Sequence, residues 1–122
     1  MAKKGTLLYT SASAAFRSTA KTAMLAAGKM ALRGLVQSVA KEYGKQGIHA
    51  VHLRMDCTYE SQRNEAVFTS GGMGEVYGKM AGANKLADID ALAESYYAMH
   101  VQSPMAWSNE IDLRPFQEDW TY

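Results

Sequence analysis

One cysteine, Cys57, and two prolines, Pro104 and Pro115, are all that this 122-residue chain contains of either type. A lone thiol excludes an intrachain disulfide and any multi-cysteine metal site, and it fits a reducing compartment such as the cytoplasm. An excess of either charge is also missing: thirteen basic residues stand against twelve acidic ones, for a net charge of +1. No global field therefore recruits nucleic acid, acidic lipid or a charged substrate. Long apolar runs are lacking too. After Met-Ala-Lys-Lys only Leu7, Leu8 and Tyr9 precede Thr10 and Ser11, too short a run for a signal peptide or a membrane span.

What is present is ordinary for a soluble globular protein, with 48% hydrophobic and 20% charged residues. The length suits a single domain, 1–122, with a small core. Thr6 to Thr10 is a short run of strand formers opened by Gly5 and closed by the small residues 11–15, and it reads as a buried strand. From Ala20 to Tyr43 no proline intervenes and Ala, Met, Leu, Lys and Gln dominate, which predicts one long helix with Ser18 or Thr19 as N-cap and Gly44 as its stop. Lys29, Arg33, Gln37 and Lys41 recur every four residues as a polar stripe. Met24, Ala27, Ala31, Leu32, Leu35, Val36 and Val39 cover most of the remaining surface. A helix so apolar needs a second packing partner besides its own sheet, and a homo-oligomer follows as the expectation.

Ile48 to Met55 reads as a second strand, parallel to the first through a right-handed crossover. From Asp56 to Leu86 the pattern dissolves and five glycines gather, which predicts an irregular, mobile stretch with a short helix around Ser61 to Phe68. A further helix opens at Asp88, with Ile89, Leu92, Ala93, Tyr96 and Met99 on one face, and stops at Ser103-Pro104. Ile111 and Leu113 alternate with Glu110, Asp112 and Arg114 in a last strand. Phe116, Trp120 and Tyr122 then form an aromatic tail of the kind that docks on a surface. His49 and His52, three apart on a strand, point to opposite faces and do not share a metal. His100 near a helix end suits the dipole there.

Three segments together resemble one known family: Gly5-Thr-Leu-Leu-Tyr-Thr-Ser-Ala-Ser13, Lys29-Met-Ala-Leu-Arg-Gly-Leu-Val-Gln-Ser38 and Glu42-Tyr-Gly-Lys-Gln-Gly-Ile-His49. They resemble the short-chain dehydrogenase/reductase family from its fifth strand to its seventh, and Trp107-Ser-Asn-Glu-Ile-Asp-Leu-Arg-Pro115 is similar to a segment of one bacterial branch. The resemblance implies a partial doubly wound, Rossmann-like α/β unit of three layers, with about three parallel strands in sequential order. It implies an oxidoreductase that uses NAD or NADP, and a homodimer formed through helix 20–43, the edge of the first strand, or both.

In full-length relatives roughly a hundred or more residues come before this region and carry the first four strands and the glycine-rich phosphate turn. The run Gly71-Gly72-Met73-Gly74 follows no strand and lacks that fingerprint, so it reads as a loop. The family's chemistry uses a tyrosine as acid/base, a lysine four residues later that lowers the tyrosine pKa, and a serine that orients the substrate oxygen. By this resemblance Lys29 matches the lysine and Ser13 the serine, while Leu25 stands where the tyrosine belongs. Tyr9 and Tyr43 do not replace it by spacing. Lys29, with Asp56 and Cys57 at the carboxyl end of the second strand, would lie toward the cofactor. For Lys29 the plainer alternative is a solvated position on its stripe, and for Ser13 an ordinary turn residue. Two functions follow. One is an oxidoreductase half that lacks independent cofactor binding and the usual tyrosine; the other is a non-enzymatic assembly module that keeps the family's dimer surface.

Overall fold

The computed structural model describes residues 4–120. Strand β1 (Gly5–Ala12) runs into a short 3-10 turn, Ser13–Ala15, and then into helix α1 (Ala23–Tyr43). Strand β2 (Ile48–Met55) follows, then a two-residue strand β3 (Thr58–Tyr59), helices α2 (Gln62–Ser70) and α3 (Gly74–Gly82), strand β4 (Leu86–Ala87), helix α4 (Ile89–Val101) and strand β5 (Glu110–Leu113). The main sheet has the order β1-β2-β5, all parallel, as the crossover pattern predicts. β3 and β4 form a separate parallel pair. The partial Rossmann-like α/β architecture is therefore observed.

β2 is the centre of the molecule. Every residue from His49 to Arg54 is buried, because β1 and β5 cover its two edges and helices cover its two faces. Paired residues of parallel strands point to the same face. One face therefore holds Tyr9, His52 and Glu110, with Ser11, Arg54 and Asp112 beside them, and the register sets these residues side by side. This face meets α1. The opposite face carries Thr6, Thr10, Val51 and Leu53. α4 meets it through Tyr96, whose hydroxyl lies 2.8 Å from Thr10 Oγ1, and through His100, whose Nδ1 lies 3.2 Å from Thr6 Oγ1.

Several boundaries differ from the sequence reading, each for a local reason. α1 starts at Ala23 because Lys21 adopts a left-handed φ of 69° and the chain turns there. The Thr19 N–H donates to Thr22 Oγ1 at 3.0 Å in that turn. Gly44 stays right-handed and continues into a 3-10 turn, and Gly47, at φ 87°, reverses the chain. Only glycine adopts that conformation without steric cost. The stretch 56–86, read as irregular with a short helix around Ser61 to Phe68, holds that helix as α2 and a second one, α3, outside that expectation. Ser61 caps α2 by accepting the Asn64 N–H at 3.1 Å, and Tyr77 of α3 packs its ring 5.4 Å from Phe68. Asp88 caps α4 as expected, accepting the Ala91 N–H at 2.7 Å. Ile89 and Ala93, placed on the inner face of α4 by periodicity, are exposed.

The largest correction concerns α1. The polar stripe is split: Gln37 and Lys41 are exposed, but Lys29 and Arg33, with Ala26 and Val36, lie on the side turned to the sheet. The apolar side is turned outward, with Met24 88% exposed and Leu35 54%. Among the described residues no helix is long and apolar enough to cross a membrane.

Candidate functional site

The residues singled out by resemblance gather at the carboxyl end of the sheet, in two groups. Ser13 opens the 3-10 turn that follows β1, and its carbonyl accepts the N–H groups of Phe16 at 2.9 Å and Arg17 at 3.2 Å. Lys29, in the second turn of α1, donates from Nζ to the Thr10 carbonyl at 3.4 Å. The structure thus places Ser13 and Lys29 at the end of one strand. Leu25, one turn earlier, shares with Lys29 a shallow groove of about 360 Å³ whose other walls are Met24, Gly28 and Leu32. Tyr9 and Tyr43 line a different groove, beside Leu7, Val39 and Ile48. No tyrosine takes the place of Leu25 at Lys29.

Asp56 and Cys57 form the other group. Asp56 is buried, its N–H donates to the Leu113 carbonyl at 3.0 Å, and its carboxylate pairs with the Arg114 guanidinium at 3.2 Å. Burial pushes the Cys57 thiol up to about 11, with Asp56 and Glu118 adding to the effect and Arg114 opposing it. Such a thiol stays protonated at neutral pH and is a poor nucleophile. Beyond these residues a cavity of about 480 Å³ opens between β4, the start of α4 and the end of β5, lined in part by Glu60, Asn84, Asp88, Ser95 and Arg114. Asp88 is occupied by its helix cap and Arg114 by its ion pairs.

Between α1 and the sheet lies a charged cluster that periodicity did not predict. Arg33 makes a two-point contact with Glu110, Nε to Oε2 at 2.9 Å and Nη2 to Oε1 at 3.0 Å. Glu110 Oε2 also lies 3.2 Å from Nδ1 of His52, which is 1% exposed. Arg54 pairs with Asp112, and Arg114 bridges Asp112 and Asp56. The Phe16 ring is held between two guanidiniums, 3.7 Å from Arg33 and 3.3 Å from Arg54. Burial lowers the His52 pKa against the pull of Glu110, and Arg33 and Arg54 lower it further. Burial alone would raise the Glu110 carboxyl, but the Arg33 hydrogen bonds, followed by the charges of Arg33, His52 and Arg54, hold it below the ordinary carboxylate range. Glu110 and Asp112 stand at exposed positions of β5 and are both ion-paired. One signal could have revealed the cluster: polar residues two apart in β2, His52 and Arg54, and again two apart in β5, Glu110 and Asp112.

His49 points to the opposite face from His52, as expected. Its Nε2 lies 2.7 Å from the Ser108 carbonyl, and its ring stacks on Trp107 with centroids 4.6 Å apart. Among the described residues no group of His, Cys, Asp and Glu could hold a metal ion. In the aromatic tail Phe116 is 84% exposed, the Trp120 ring lies 3.6 Å from the Arg114 guanidinium, and Tyr122 falls outside the described residues.

This geometry has a solved counterpart. A crystal structure of a short-chain dehydrogenase from Rhodopseudomonas palustris superposes with a TM-score of 0.62 over 91% of this chain, at 24% identity. The chain shares the fold of one portion of that structure. The chain spans 38% of that protein's length, so the likeness covers one portion of a longer fold. No protein-family model matches the sequence, and the comparison with curated proteins returns no match.

A dinucleotide does not fit the residues described. The glycine run 71–74 turns from α2 into α3 and follows no strand, and a Cβ at Gly74 would meet the Thr69 hydroxyl at 3.2 Å, so the glycine there serves helix packing. A pyrophosphate cradle needs open backbone N–H groups at a strand-to-helix turn. The Asp56 carboxylate, which the resemblance sets toward a cofactor, is paired with Arg114.

Proposed function

We propose that this chain is the carboxyl-terminal half of a short-chain-dehydrogenase-type oxidoreductase unit, dependent on NAD or NADP only once a dinucleotide-binding half completes the sheet beyond β1. The observation that carries this reading is the placement of Ser13 and Lys29 at the carboxyl end of β1, on a fold shared with a dehydrogenase more than twice as long. In this reading 1–122 is one unit. Ser13 orients a substrate oxygen and Lys29 supplies a positive charge beside it. With Leu25 in the tyrosine position, the groove lacks the phenol through which the family delivers the proton that carbonyl reduction needs. The chain alone is therefore without turnover by the family's usual route.

The outward apolar face of α1 and the open edge of β1 support a second reading, an assembly module that forms a homodimer through these surfaces. One experiment separates the two. The purified chain is titrated with NADH and NADPH by calorimetry, alone and with a separately expressed dinucleotide-binding half of a related dehydrogenase, and light scattering records the mass of each sample. Saturable binding only in the mixture supports the half-enzyme. A stable dimer that binds neither cofactor in either sample supports the module. Binding by the chain alone overturns the requirement for a second half.

A further inference from the structure

Among the described residues, the cluster between α1 and the sheet sets Arg33, Arg54 and Arg114 against Asp56, Asp112 and Glu110, with His52 among them. His52, Arg54 and Asp56 are buried, while Arg33 and Glu110 are each about a third exposed; for the buried members, charge is tolerable only while it stays paired. His52 is the member with no room for change. Its Nε2 has no hydrogen-bond partner among the described residues. It faces Glu110 from β5, Arg33 from α1, Arg54 along its own strand and its register partner Tyr9 from β1, with the Phe16 ring 6.5 Å away. A proton added to His52 brings a cation beside two guanidiniums. A proton added to Glu110 removes the counter-charge of both Arg33 and His52.

Both changes act on one joint. Among the ion pairs described, the Arg33 contact with Glu110 is the one that ties α1 to β5, and Arg33 also holds one face of Phe16. Phe16 in turn closes the segment that begins at Ser13. We propose that His52, Glu110 and Arg33 form a proton-sensitive latch, closed at neutral pH, whose opening frees the first half of α1 and the Phe16 wedge while β1 and β2 stay paired. The inference stands on this cluster alone and holds whichever function the chain has.

The direction of the pH dependence follows from linkage. The native His52 holds its proton less tightly than an unfolded imidazole, so the closed state loses stability as pH falls through about 6.5 and below. The native Glu110 is more acidic than its unfolded counterpart, so its contribution is present above about 4.5 and disappears as pH falls through its lower native value. His52 therefore acts first on acidification and Glu110 second.

The test is amide hydrogen exchange of the full chain between pH 7.5 and 5, expressed as protection factors residue by residue. In the wild type, residues 23–36 should lose protection as pH falls below 6.5, by at most about tenfold per pH unit, one proton's worth, while β2 remains protected. His52→Gln, neutral throughout, should flatten that slope, and Glu110→Gln should leave 23–36 unprotected already at pH 7.5. Loss of protection in α1 and β2 together would identify ordinary acid unfolding and overturn the latch. So would a slope in 23–36 that His52→Gln and His52→Leu both leave unchanged.

Discussion

Substituting Leu25 by tyrosine would place a phenol one helical turn before the Lys29 ammonium, inside the groove those residues already share. A cation at that range favours phenolate, so the new phenol should titrate about one unit below the ordinary value near 10. Tyrosine-selective NMR on Leu25→Tyr and on Leu25→Tyr with Lys29→Met would measure it. The depression should vanish in the double variant, and an unshifted phenol in both would show that Lys29 does not electrostatically command this groove. Ser13 and Lys29 were singled out by the segments that carry the resemblance, and both lie at the carboxyl end of β1. Arg33 and His52 were not, since helical periodicity reports that a polar stripe exists but not which side faces inward. That depends on what waits across the interface, here Glu110, some eighty residues further along the chain.

At the scale of elements, caps distinguish helices that hold themselves from helices held by the core. Asp88 and Ser61 each accept an N–H three residues on, whereas α1 begins without a side-chain cap hydrogen bond. Asp88→Ala should cost about 1 kcal/mol and Ser61→Ala a similar amount. Urea unfolding should show lowered midpoints with unchanged slopes; a changed slope would mean that the helix had ceased to belong to the cooperative unit. The three strands of the main sheet, the two long helices and the short helix near Ser61 were readable from composition, periodicity and capping residues. The pair β3 and β4 and helix α3 were not, and in α3 the glycines at 74, 78 and 82 depress helix propensity. The Ser61 cap and the Phe68 contact with Tyr77 supply what propensity withholds, and a linear reading of propensity cannot see a contact.

For the whole molecule, the outward side of β1 decides behaviour in solution. Eight residues of strand present one edge without a neighbour, and Leu7 lies at that edge in an apolar groove shared with Val39 and Ile48. Edges of this kind template association unless charge or covering prevents it. Leu7→Lys should shift the chain toward monomer with its circular dichroism retained, as read by light scattering across concentrations. An unchanged mass would move the association to the outer face of α1 or exclude it.

The central strand also imposes an order in time. β1 and β2 can pair as soon as α1 has formed between them, but the second edge of β2 waits for Glu110 to Leu113. Closing so long a loop adds little to the equilibrium cost, since loop entropy grows only with the logarithm of length. During synthesis, however, those four residues leave the ribosome only after α2, α3 and α4 have all followed β2. Until they do, the second edge of β2 stays open and Arg33 is without the Glu110 carboxylate.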